Sequence, residues 1–187
     1  MRLSHVCSTM LCLVLAGCGS TPYKYPVSTP TIAGSERIGF SSVEIRDLSL
    51  PAYAAADEIP YLDETGKLVS DGSVLWADSP ARAIALELSR HLTQLTKAQI
   101  APSPWPFEKL PQASLDIRFE TVLAHDRGNL QVAGQYFLGR LDGGRERSGV
   151  FDLSVPIAQP QTPATVASAR GEAIAQLSKV LAQKALK

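Results

Sequence analysis

The sequence predicts an α+β fold, a two-layer sandwich in which a mainly antiparallel sheet is covered on one face by two helices. Three observations lead there. Leu115, Ile117 and Phe119 alternate with polar neighbours, as do Leu130, Val132, Tyr136 and Leu138, and then Phe151, Leu153 and Val155. Turn-forming stretches, Asp126-Arg127-Gly128-Asn129 and Asp142-Gly143-Gly144, separate the three runs, so they read as a three-stranded meander. Two other segments repeat their apolar residues at helical spacing. Their order along the chain, strands, helix, strands, helix, suits one sheet face buried under both helices.

Residues 1–17 read as a signal peptide. Arg2 is the sole charged side chain before Cys18, and the mostly apolar run Val6–Leu15 is too short to span a bilayer. Leu15-Ala16-Gly17-Cys18 resembles the bacterial lipobox, in which the cysteine sulfur takes a diacylglycerol and the new amino terminus is acylated. Small residues before the cysteine fit a peptidase groove that holds the chain extended. Acyl burial contributes about 0.8 kcal/mol per methylene, and several chains together anchor a protein permanently. The residue after the cysteine is Gly19 rather than Asp, and this implies the periplasmic face of the outer membrane. Residues 18–35 carry Pro22, Pro26 and Pro30 among Ser, Thr and Gly and read as a lipidated tether. Extended at roughly 3.1 Å per residue, such a stretch reaches on the order of 50 Å. Tyr23 and Tyr25 suggest instead that part of it lies along the domain as an edge strand.

The domain itself is expected over residues 36–187. Ile38, Phe40, Val43, Ile45 and Leu48 read as a strand with a slip near Ser41-Ser42, stopped by Pro51. Ile59–Leu62 and Lys67–Val69 flank the turn Asp63-Glu64-Thr65-Gly66 as a short hairpin. Ser79 suits a helix N-cap and Pro80 the first helical position. Ala81, Ile84, Ala85, Leu88, Leu92 and Leu95 then form one apolar face, with Trp76 placed to pack over the first turn. Pro102, Pro104, Pro106 and Pro111 mark an irregular connection before the meander. Thr162-Pro163 opens the last helix, whose apolar face is Val166, Ala169, Ala173, Ile174, Leu177, Val180 and Leu181. Gly171 and the alanines are expected to let it lie close to the sheet.

Charge and chemistry narrow the function. The 187 residues carry 18 basic and 18 acidic side chains, so nothing points to nucleic acid, which calls for a basic face. Cys7 and Cys12 fall in the leader and Cys18 is acylated, which leaves no thiol for a disulfide or metal site. His125-Asp126 has the residue types to orient a general base, yet Asp126 sits where a turn is expected, and no G-x-S-x-G elbow exists. His91 reads as a boundary or surface residue of the first helix. Asp57-Glu58 and Asp63-Glu64 lie in a loop and a hairpin tip, where acids are normally solvated. There is no phosphate loop and no metal-ligand spacing. No catalytic residue, metal or cofactor is therefore expected, apart from the diacylglycerol and N-acyl chain on Cys18. Trp105 and Phe107, in the proline-rich loop, are the best candidates for a partner contact.

Taken together, the lipobox, the Tyr-rich start Tyr23-Lys24-Tyr25-Pro26-Val27, the element Pro51-Ala52-Tyr53, the helix entry Trp76-Ala77-Asp78-Ser79-Pro80 and the closing meander and helix resemble the ABC-type transport auxiliary lipoproteins, the PqiC-like family. The chain departs from the family pattern at Tyr53-Ala54, at Ile59–Asp63 and in Ser79, which stands as an insertion before the proline. The resemblance implies a non-enzymatic outer-membrane lipoprotein. It would dock an MCE-domain protein that bridges the periplasm, and act indirectly with an ABC permease and ATPase to assist lipid transport. Tyr53, Trp76, Trp105 and Phe107 are its candidate partner-binding residues, and a homo-oligomer suits a symmetric bridge. The alternative is a periplasmic lipid-binding chaperone carrying an acyl chain under the helices.

Overall fold

The alternating segment 113–156 becomes the longest part of the sheet. In the computed structural model, which describes residues 21–141 and 143–187, the elements follow in the order β1 (Tyr23–Tyr25), β2 (Ser42–Ile45), α1 (Ala52–Ala55), β3 (Tyr61–Leu62), β4 (Leu68–Val69), β5 (Val74–Trp76), α2 (Pro80–Thr96), β6 (Gln99–Pro102), β7 (Ala113–His125), β8 (Asn129–Arg140), β9 (Arg147–Pro156) and α3 (Pro163–Val180), which ends in a π-helical turn, Leu181–Ala185. The fold is α+β, as expected. Strands β7, β8 and β9 form the antiparallel meander, in register from Ala113↔Arg140 to His125↔Asn129 and from Asn129↔Pro156 to Leu138↔Arg147. A bulge interrupts β7 between Phe119 and Thr121. Gly134 lies opposite it, where a Cβ would collide with the Arg118 carbonyl and the Phe151 ring. The missing side chain lets Phe119 and Phe151 meet edge to face, 5.6 Å between centroids.

The flank of the sheet departs from the expectation of a mainly antiparallel arrangement. Strand β2 lies between β6 and β7 and is parallel to both, and β3 is parallel to the far end of β7. A separate two-stranded sheet, β1 with β5, is also parallel. By length the antiparallel meander still dominates. The expected hairpin forms as β3–β4, with Tyr61↔Val69 and Leu62↔Leu68. The strand expected over 37–48 shortens to β2, and α1, β5 and β6 are elements that alternation did not reveal. All are three or four residues long, too short for a periodicity to register.

Helices α2 and α3 pack on each other, and α3 lies against β8 and β9. Their layer contributes Ile84, Leu88, Leu92, Ile174, Leu177 and Leu181 to the core, and the sheet contributes Val43, Ile45, Leu115, Ile117, Val132 and Leu138. Helix α2 starts as expected, with Ser79 at the N-cap and Pro80 in the first turn. Ser79 makes no side-chain capping hydrogen bond, and the Asp78 carboxylate accepts the Ser79 N–H at 2.9 Å. Helix α3 has a full capping box: Thr162 Oγ1 accepts from Thr165 N, and Thr165 Oγ1 accepts from Thr162 N. The buried stripe of α2 is rotated from the expected one. It includes Glu87 and His91, while Ala81 and Ala85 are only half-buried.

Of residues 18–35, read as a tether, the part from Tyr23 onward lies on the body, as the edge-strand alternative has it. Tyr23 N donates to the Ser73 carbonyl at 2.7 Å, and Ala77 N to the Tyr25 carbonyl. Tyr25, Val27 and Ile32 pack against the core, and Glu36 N donates to the Leu95 carbonyl at the end of α2. This strap explains Gly171. The glycine permits a close approach, as expected, but to the strap rather than the sheet: a Cβ there would run into the Ser28 carbonyl and lie 3.3 Å from Pro30 Cδ.

A mid-helix Gly→Ala change ordinarily stabilises by about 1 kcal/mol. Gly171→Ala is expected to do the opposite, destabilising by about 1–3 kcal/mol through overpacking against main chain that cannot rotate away. Urea denaturation reads the sign. Amide exchange in Tyr23–Tyr25 should quicken in the same variant, and unchanged exchange with raised stability would contradict the strap.

Candidate functional site

Three of the residues singled out from the sequence fall into two separate places. Trp76 belongs to the first. It is buried at the end of β5, under the strap. Its ring lies 4.4 Å from the guanidinium of Arg170, which comes from the middle of α3. Arg170 Nη2 donates to Glu87 Oε1 of α2 at 3.1 Å, with the two side chains 2% and 9% exposed. Burial raises the Glu87 pKa against the pull of Arg170, and burial lowers that of Arg170 against the pull of Glu87 and Asp78. The guanidinium stays charged in any case. Glu87 Oε2 and Arg170 Nε and Nη1 have no protein partner. They lie beside a cleft of about 200 Å3, lined on its other side by Tyr25, Pro26 and Val27 of the strap. Trp76 therefore packs inside the domain. Asp78 adds the N-terminal hydrogen bond of α2 and an ion pair to Arg82.

Neither Glu87 nor Arg170 was singled out from the sequence. The signal was present: each is a lone charge on the otherwise apolar stripe of its helix. What was missing is that the two stripes face each other. His91 corrects a second expectation. It is fully buried, not at the boundary, and neither ring nitrogen has a partner. Burial, and then Arg90, depress its pKa against the opposing pull of Glu172, so it stands neutral.

The second place is the loop between β6 and β7. Trp105 is half-buried and Phe107 exposed; their rings meet edge to face with centroids 4.9 Å apart. Trp105 Nε1 donates to the Lys109 carbonyl at 2.7 Å, which closes the loop on itself. Leu110 follows, 80% exposed. Proline-limited backbone and an internal hydrogen bond hold these apolar groups up to solvent, at low ordering cost on binding. Tyr53, on the single turn α1, is half-buried against the core and joins neither place. Cys18 lies outside the described residues.

The remaining candidates resolve into turns. His125 closes β7 and accepts from Gly128 N through its carbonyl, while Asp126 N donates to the Leu62 carbonyl. Asp63 Oδ1 accepts from Thr65 N, Thr65 Oγ1 and Lys67 N, and these bonds lower its pKa. Asp71 does the same for Ser73. Among the described residues no group of three His, Cys, Asp or Glu is placed to hold a metal ion, and no helix is long and apolar enough to cross a membrane. A groove of about 610 Å3 runs between the β3–β4 hairpin and the first turn of α3, walled by Ile59, Tyr61, Val69, Val74, Pro163 and Val166 among others.

Comparison with known proteins bears on this geometry. The model of the ABC-type transport auxiliary lipoprotein component family matches residues 24–182, from the strap to the end of α3. Among solved structures, an uncharacterized protein superposes with a TM-score of 0.67 at 15% identity, over 86% of this chain and 98% of its own. Protein XCC0632 of Xanthomonas campestris, described as DUF330, superposes at 0.66 with 16% identity, over 85% and 92%. At such identities the likeness is one of fold. Among curated proteins no sequence matches.

Two outcomes are expected of the buried groups. Arg170→Met leaves the Glu87 carboxylate buried and unpaired and should cost about 3–5 kcal/mol, whereas the double change Glu87→Leu with Arg170→Met should recover most of that loss. Denaturant midpoints of the two variants and the parent test it. His91, with its pKa depressed on folding, contributes stability that is complete above its ordinary value of about 6.5 and declines as pH falls below it. His91→Leu should flatten that part of a stability-against-pH curve and leave stability at pH 8 equal or higher, since it removes two unpaired polar atoms.

Proposed function

The chain belongs to the ABC-type transport auxiliary lipoprotein component family, and from that premise we propose that it is the outer-membrane end of a periplasm-spanning transport system, where it docks an MCE-domain bridge protein and assists lipid movement between membranes. The observation that carries the docking role is the presented loop Trp105–Leu110. Its rings are locked to each other and to their own backbone, and its apolar surface faces outward. Aromatic anchors of this kind dominate protein interfaces. The body has a near-zero net charge, which suits an apolar contact better than electrostatic steering. The energy source in this reading is the distant ATPase of the same system, and several copies around a symmetric bridge complete it.

Anchoring in this reading falls to Cys18. Its lipobox setting directs acylation there, and Gly19 directs the product to the inner leaflet of the outer membrane. Labelled palmitate should enter the wild-type protein and not Cys18→Ser, and the wild type should sediment with outer-membrane fractions. Docking is tested by crosslinking and co-purification from cells. Trp105→Ala with Phe107→Ala should lower recovery of the transporter components at least about tenfold with the fold intact by circular dichroism, a loss of about 1.4 kcal/mol or more. Recovery equal to wild type would overturn the docking role of the loop.

The groove beside α3 favours a second reading, a chaperone that carries one acyl chain. Its walls are mostly apolar, and its size lies within the range of small-molecule sites. Native mass spectrometry of purified Cys18→Ser separates the two readings, since a carrier retains a lipid and a docking module does not.

A further inference from the structure

The start of the strap and the aromatic loop lie at opposite ends of β7, and this gives the domain a direction. Tyr23 is held at the Ser73 carbonyl, and Ile59 N donates to the Val74 carbonyl at 3.1 Å, just ahead of the β3–β4 hairpin. That hairpin pairs with β7 at Ala124 and His125, and Asp126 N ties it to the β7–β8 turn. The start of the strap, the hairpin and this turn therefore share one end of the molecule. The loop Ser103–Pro111 belongs to the other. Ser103 N donates to the Ile45 carbonyl and Gln112 N to the Ser42 carbonyl, and Ile45 faces Leu115 of β7. From Leu115 to Ala124 the strand rises about 30 Å.

We propose that the end carrying Tyr23 and the β3–β4 hairpin rests on the lipid surface, and that the Trp105–Leu110 loop is thereby turned away from the membrane toward an incoming partner. The proposal rests on the reading that Cys18 is acylated. Four residues lie between Cys18 and Tyr23, and a chain that short spans at most about 18 Å. An acyl-anchored domain fixed from Tyr23 onward is thus held close to the bilayer by one particular end. The side chains there suit an interface. Tyr23 is 70% exposed, and Tyr61 and Leu68 are exposed on the hairpin. Tyrosine, with an apolar ring and a polar tip, is the residue favoured at the headgroup level. Lys24 and Lys67 share this end with Asp63 and Asp71, whose carboxylates are engaged by their own turns. With charges of both signs, the contact is presented by the anchor and made by the rings, and it does not depend on anionic lipid or low salt. The apolar groove, walled by Tyr61 and Val69, opens at this same end.

The test uses the full chain, expressed with its leader and reconstituted in phosphatidylcholine vesicles. Single-cysteine variants Leu68→Cys and Leu110→Cys carry a fluorophore, and lipids with a quencher at the headgroup report proximity. The Leu68→Cys label should be quenched several-fold more strongly than the Leu110→Cys label, in high salt as in low. Equal quenching with the protein bound to vesicles overturns the seating alone. Stronger quenching at Leu110→Cys also overturns it and assigns the aromatic loop to the membrane. Intact mass without acyl chains, together with failure to float with vesicles, overturns the anchor reading and the seating with it.

Discussion

A single buried contact, the guanidinium of Arg170 between the Glu87 carboxylate and the Trp76 ring, holds the relative placement of α2, α3, β5 and the strap. Each group comes from a different element, and the closest in sequence, Trp76 and Glu87, are separated by the first two turns of α2. Desolvating both charges costs several kcal/mol, and only one hydrogen bond between them is formed. The arrangement is therefore better understood as setting register than as adding stability. A helix pair joined only by Leu, Ile and Ala can slide by a turn with little penalty. Sliding here would leave two charges apart in an apolar layer, which is far more costly.

The strap follows from that contact. Beside the Arg170–Trp76 contact lies a cleft that Tyr25, Pro26 and Val27 of the strap help to line. The crossing continues over Gly171, where the absent side chain lets the Ser28 carbonyl come against α3. The amino-terminal segment is thus part of the core's closure from Tyr23 onward. This alters the physical meaning of its prolines. In a free linker they stiffen an extended chain; on this surface they lay down main chain without presenting N–H groups that would need partners. The same change converts a long reach into a short one, and an anchor upstream of Tyr23 then constrains how the domain sits.

The aromatic loop shows the converse economy. A ten-residue connection between two strands parallel to β2 has no helix to organise it. Its order comes from prolines and from the Trp105–Lys109 hydrogen bond. The rings are fixed but not covered, whereas Trp76, the same residue type, is fixed because it is covered. Residue type alone could not separate these two tryptophans; what separates them is whether other elements, here α3 with Arg170, pack over the ring.

The sequence by itself determined the local part of this protein: the meander, the β3–β4 hairpin, the starts of α2 and α3 at Ser79-Pro80 and Thr162-Pro163, and the turn roles of Asp63 and Asp126. These depend on period, turn chemistry and capping, which act over a few residues and are written in order along the chain. Only the tertiary structure decided the parallel pairing of β2 with β6 and β7, the burial of Glu87, His91 and Arg170, the docking of the strap on Gly171, and the separation of Trp76 from Trp105 and Phe107. Those features join residues up to about 150 positions apart, as Gly39 does with Leu186 at the closing turn. A contact of that kind leaves no periodic trace in the chain, because the free energy that selects it exists only once both partners have left water together.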